Sequence, residues 1–233
     1  SIRSRAQANE RIVRGKPRLL VSPHAGYQYS GPIAARAFRQ IQGQHYDGVV
    51  VVGFTHRLQF DGASVDDRNG YETPLGAIPV DLEAVRFLQA RDSLLRTREE
   101  AHASGEHSLE VMLPFLQVAL GEFKLVPILM GGSSLEQAEI LAEALAALAQ
   151  QGDYLFVFST DLSHYHPYDE AGRIDERTVS AMLYETPQAL ARLFRGGHLE
   201  ACGQGPILAS ALLAVRLGYL KPELLAYANS GDT

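Results

Sequence analysis

The side chains best suited to chemistry sit just beyond short apolar runs. His24 follows Leu19-Leu20-Val21 in the stretch Ser22-Pro23-His24-Ala25-Gly26-Tyr27, and His56 follows Gly48-Val49-Val50-Val51-Val52-Gly53. Asp161 and His164 follow Tyr154-Leu155-Phe156-Val157-Phe158. Open α/β sheets gather ligands where strands end and helices begin. Any one of these histidines alone is as well explained as an incidental loop residue, but matching positions at separate strand exits point to one shared polar site. Cys202 lies beside Gly203 and Gly205, shortly before a helix expected to open at Pro206. A positive helix end favours thiolate, the form of cysteine that binds metal or attacks carbon. If two imidazoles converge on it, the set becomes His2Cys, which suits iron, copper or zinc rather than magnesium or calcium. Glu106-His107 could hydrogen-bond to such a site or move a proton; the pair equally suits an acidic helix start.

The elements that must position these groups alternate between two kinds. Strands are expected at 19–21, 48–53, 63–65, 124–130, 154–158 and 224–228, with Pro127 hinting at an edge or a bulge. Helices are expected from a Ser30 cap with Pro32 in the first turn, after Asp81, from near Ser108 with Pro114 kinking it or displacing its start, after a Ser134/Gln137 capping box, over 174–183 and 187–194, and from Pro206. Asn69 to Gly76 is turn-rich. The alternation predicts an α/β fold, a three-layer αβα sandwich around a largely parallel or mixed sheet, in one domain over 1–233. His45, His102 and His198 lie in polar, loop-like contexts and are expected to be solvated, and His166 to rest against the Tyr165–Tyr168 loop.

Composition narrows the classes of function. A formal net charge of -6 argues against a nucleic-acid backbone as partner. No apolar run approaches the roughly 18 residues that span a bilayer, and the polar start shows no secretory signal. A single cysteine excludes an internal disulfide and fits a reducing cytoplasm. Walker A, dinucleotide-loop and His-Glu-x-x-His patterns are absent.

Four stretches, read together, resemble the MEMO family, whose bacterial and archaeal members are often labelled AmmeMemoRadiSam system protein B. They are Pro23-His24-Ala25-Gly26-Tyr27 with Tyr29-Ser30-Gly31; Glu106-His107-Ser108-Leu109-Glu110 with Leu113-Pro114-Phe115; Ser159-Thr160-Asp161-Leu162-Ser163-His164-Tyr165; and Cys202-Gly203 with Pro206-Ile207. The resemblance implies a fold related to class III extradiol ring-cleaving dioxygenases, which hold non-haem Fe(II) with two His and one Glu. By position, His24 and His56 match the histidine ligands, and Cys202 the family's cysteine that stands where the dioxygenases have Glu. His164, supported by Asp161, matches the acid/base position, while Glu106, His107 and Tyr27 are expected to support the ligands or meet substrate. Thiolate in place of carboxylate makes the site softer and turns it toward copper or a differently tuned iron. An aromatic-proline segment before the first strand and one more strand after the last are not evident, so partial or unusual ends are expected.

The sequence thus describes a cytoplasmic, redox-active metalloprotein holding Fe(II) or copper, with zinc as a further candidate, without ring cleavage being implied. Two other functions fit the same residues: a non-catalytic peptide- or protein-binding module using the same cleft, and a hydrolase with Cys202 as nucleophile and His164 as base. The family's label suggests an AMMECR-like domain and a radical SAM protein as partners.

Overall fold

The valine run Val49–Val52 forms the centre of β2 (Gly48–Phe54), which is buried from Gly48 to Gly53 because helices cover both faces of its sheet. The structure, a computed structural model, describes residue 13 and residues 15–103, 105–219 and 221–232. Beside β2 lie β8 (Tyr154–Ser159) and β7 (Leu125–Met130), with β1 (Leu19–Ser22) beyond β8 and β3 (Ala63–Val65) and β6 (Leu95–Arg96) beyond β7. β1, β8, β2 and β7 run parallel; β3 is antiparallel to β7, and β6 is parallel to β3. The sheet is mixed and mostly parallel. Turn-rich residues form a separate hairpin, β4 (Gly70–Thr73) and β5 (Gly76–Pro79).

Alternate residues of the central strands feed two cores. Val50, Val52, Val126, Ile128, Phe156 and Phe158 face one layer, built from α2 (Leu82–Gln89), α4 (Leu135–Leu148), α6 (Pro187–Arg195) and α7 (Gln204–Arg216), with the end of α5 (Tyr168–Tyr184). Val49, Val51, Leu125, Leu129, Leu155 and Val157 face the other, built from α1 (Tyr27–Arg39) and α3 (Leu113–Leu120). The arrangement is an αβα sandwich.

Several boundaries differ from the sequence expectation. Ser30 does not cap α1. The helix opens a turn earlier at Tyr27, where Gly26 carbonyl accepts the Tyr29 and Ser30 N–H groups, so Pro32 lies inside it and Ser30 Oγ donates back to Ala25 O. Pro114 displaces a helix start: Glu110–Met112 is a 3₁₀ turn, and α3 begins with Pro114 in its first turn, where no N–H is required. α5 starts at Tyr168, ahead of the expected 174, because Asp169 and Glu170 suit a helix N-terminus. α7 opens at Gln204, two residues ahead of Pro206, which brings Cys202 next to its Gly203 cap.

Pro127 sits in an interior strand, not at an edge or a bulge. Its carbonyl accepts from Asp66 N–H, so its nitrogen faces the same side, just past the end of the short strand β3, where no ladder bond is lost. Leu224–Ala228, expected as a strand, is not one in the structure; Tyr227 donates to buried Asp175 Oδ2 at 2.7 Å.

Leu141 is fully buried on α4 while Ser134 only caps its start. Leu141→Ala is expected to cost about 2–5 kcal/mol in urea unfolding, against about 1 kcal/mol for Ser134→Ala. Equal losses would contradict the assignment of α4's stability to its buried face.

Candidate functional site

Insertion of β8 between β1 and β2 sets the exits of all three strands side by side. Ser22 pairs with Ser159, and Val52 with Phe158, so the loops carrying His24, His56 and Asp161-His164 leave from the same end of the sheet. α7 approaches that end with its N-terminus and delivers Cys202.

His24 is almost wholly buried, at 1% exposure. Its Nδ1 lies 2.8 Å from Ser159 Oγ and its Nε2 3.3 Å from Cys202 Sγ. The loop bearing it is clamped by Asp161, whose Oδ1 accepts His24 N–H at 2.8 Å and Ala25 N–H at 3.2 Å. His56 is held by Glu106 in a similar way: its N–H donates to Oε2 at 2.8 Å, and its Nδ1 lies 3.1 Å from Oε1. Glu106 is fixed in turn by Ser108 N–H at 2.8 Å, while Ser108 Oγ donates to Phe54 O at 2.9 Å at the end of β2. His107 stacks on His56 with ring centres 4.7 Å apart and lies edge-on to His24 at 5.5 Å.

Cys202 is the electrostatic focus. Burial alone would push its thiol up, but hydrogen bonds from His164, His24 and His56 outweigh that and bring it down to about 3. Asp161 N–H adds a donor to Sγ at 3.2 Å. The imidazoles respond in the opposite sense. Hydrogen bonds to Cys202 and then Glu106 raise His56 to about 10 against its partial burial, and His164 is raised chiefly by its hydrogen bond to Cys202. Glu106 is held down to about 2 because its bonds to His56 and Ser108 outweigh the effect of its burial.

One ligand atom each from His24, His56 and Cys202 lie within 4.8 Å of one another, as do those of Asp161, His164 and Cys202. These residues fit a metal by donor chemistry: a thiolate and two imidazoles, with one nitrogen of each imidazole already occupied by Ser159 or Glu106.

A family model described as Memo-like protein matches residues 3–233. The chain belongs to the Memo-like family. MEMO1 family proteins of Aeropyrum pernix and Sulfolobus acidocaldarius are 39% and 37% identical, covering 91% and 93% of this chain and 76% and 77% of theirs. One from Methanopyrus kandleri is 33% identical, over 91% of this chain and 76% of its own. Among solved structures, the uncharacterized protein JW3007 of Escherichia coli K12 shares the fold, with TM-score 0.60 at 18% identity, over 84% of this chain and 88% of that one.

In this Memo-like protein Glu106 and His107 stand beside the imidazoles, while the contacts of Tyr27 are with α3 and the turn before it. Its hydroxyl donates to Val111 O at 3.4 Å and its ring meets Phe115. His102 is not solvated: it lies buried between Asp66, Tyr71 and Ser64, where burial pushes its pKa down. His45 and His198 are exposed, as expected. His166 turns away from the cleft to Glu200 Oε2 at 2.8 Å. Ser159 and Ser108 hold His24 and Glu106, contacts that motif chemistry does not single out. Their only signal is placement, Ser159 at the last residue of a buried strand and Ser108 directly after Glu106-His107.

Metal-free protein is expected to keep its ultraviolet thiolate absorbance from neutral pH down to about 3. An acid whose pKa is depressed by folding contributes its full stability above its unfolded-state pKa and loses the last of it as pH falls through the folded value. Cys202 and Glu106 therefore weaken the fold on the acid side, toward about 3 and about 2. His56 has the opposite sign, its contribution fading as pH rises through about 10. A thiolate band titrating near the ordinary cysteine value of 9.0 would contradict this electrostatic picture.

Proposed function

We propose that this Memo-like protein is a metalloprotein in which His24, His56 and Cys202 hold a redox-active ion, iron or copper, with His164 handling a proton beside it. The observation that carries this reading is the convergence of one ligand atom from each of those three residues within 4.8 Å. When bound, such an ion supplies Lewis-acid and one-electron chemistry that side chains lack.

The chain's own residues supply the rest. Ser159 can accept from His24 Nδ1–H, leaving Nε2 as the free lone pair toward Cys202. Glu106 does the same for His56 through Nδ1. Asp161 spends Oδ1 on the His24 loop, so its part is to hold that loop and to lend charge to His164. His164 is exposed on the open side of the cleft, and the neighbouring thiolate strengthens its grip on a proton. That proton can pass to a molecule entering from solvent. The partners we propose, an AMMECR-like domain and a radical SAM protein, rest on the family resemblance.

Protein purified without oxygen is expected to carry iron or copper in metal analysis, and Cys202→Ala to lose it. Ser159→Ala, which frees the His24 ring, is expected to weaken binding by about 10–100-fold. Absence of bound metal, or unchanged affinity in Cys202→Ala, would overturn the reading.

The hydrolase reading draws on a separate observation, the 3.3 Å separation of Cys202 Sγ and His24 Nε2, close enough for a thiolate–imidazolium pair. Alkylation by iodoacetamide separates the two. A metal ligand is expected to react only after chelation, whereas a hydrolytic nucleophile reacts in protein as isolated and loses activity with it.

A further inference from the structure

Arg57 follows His56 directly and is exposed. Among the described residues its side chain makes no hydrogen bond, ion pair or ring contact, yet its guanidinium has a defined seat. A β-carbon built on Gly105 would lie 2.7 Å from Nη1, 3.0 Å from Cζ and 3.2 Å from Nη2, so the planar group rests against that glycine's α-carbon. Gly105 has φ +98° and leads straight into Glu106-His107. Its backbone conformation is one that side chains rarely adopt.

The carboxylates of the candidate site are already engaged. Glu106 accepts from His56 N–H, His56 Nδ1 and Ser108 N–H, and Asp161 Oδ1 accepts from His24 and Ala25. His107, stacked on His56, adds a further imidazole to the same rim. Arg57, directly after His56 in sequence and seated against the residue that leads into Glu106, is thus an unpaired cation on a chain whose formal net charge is -6, and it can be neutralised by what enters the cleft. We infer that Arg57 is the binding group for an anionic oxygen group, carboxylate or phosphate, on the small molecule this cleft takes. The guanidinium offers two parallel N–H donors to two oxygens, a match that Lys cannot reproduce. The inference rests on the cleft being the ligand site, but not on the metal.

The test titrates the full chain, treated with chelator, with succinate, inorganic phosphate and uncharged succinamide, by calorimetry and by the imidazole proton shifts of His56 and His107. Saturable binding of succinate or phosphate but not of succinamide is expected, at least about tenfold weaker in Arg57→Gln and intermediate in Arg57→Lys. The same change at exposed Arg96, on β6, is expected to leave binding unaltered. The inference is overturned if neither anion binds, if Arg57→Gln binds as well as the parent, or if Arg96→Gln loses as much. Since no metal is present, such a failure leaves the metal reading standing. Loss of metal binding in Cys202→Ala, conversely, leaves anion binding at Arg57 in place.

Discussion

Asp161 joins the segments of the cleft through both its side chain and its backbone. Its carboxylate oxygen accepts the N–H groups of His24 and Ala25, its own N–H points at Cys202 Sγ, and its carbonyl accepts Cys202 N–H at 3.2 Å. The β1 exit and the approach to α7 are thereby both measured from one residue at the end of β8. Hydrogen bonds to a charged acceptor are each worth roughly 1.5–3 kcal/mol, and here they act on backbone, which fixes where a loop runs as well as how a side chain turns. This works because β8 lies directly beside β1, with Ser159 paired to Ser22.

The cleft is built asymmetrically around that residue. His24, on one side, is sealed, its ring held between Ser159 and Cys202. His56, His107 and His164 lie on the exposed side. A group that must not change tautomer is therefore kept from water, while groups able to meet an incoming molecule face it. The thiolate sits where these zones meet, and its charge raises His56 and His164 on the open side.

Much of this was legible in the residues. The valine run of β2 and the apolar run of β8 specify strands buried on both faces, and the polar groups beyond them specify where chemistry gathers. Pairing of Glu106 with His56 could not be read, because 50 residues separate them and only strand order brings them together. His102 was misread for a related reason. Its neighbours in sequence, Glu99, Glu100 and Ala103, are polar or small, but the partners that accept its burial are Asp66 and Tyr71, from β3's exit and the hairpin. Local composition reports exposure only where local residues supply the contacts.

The glycines around Cys202 carry a different lesson about what a loop signal means. Read from sequence, Gly203 and Gly205 mark a turn. In the fold, a β-carbon on Gly203 would meet Ser159 O and Thr160 Cβ at 2.7 Å, and one on Gly205 would meet Gly132 O at 2.6 Å. The start of α7 therefore presses directly on the exits of β8 and β7, closer than any side chain permits. That approach lets Gly203 N–H donate to Thr160 Oγ1 at 3.0 Å, and it leaves Sγ facing Asp161 N–H and His24 Nε2. The depressed thiol thus traces to the absence of two side chains. Glycine allows the approach, the approach brings donors to sulfur, and donors to sulfur outweigh its burial.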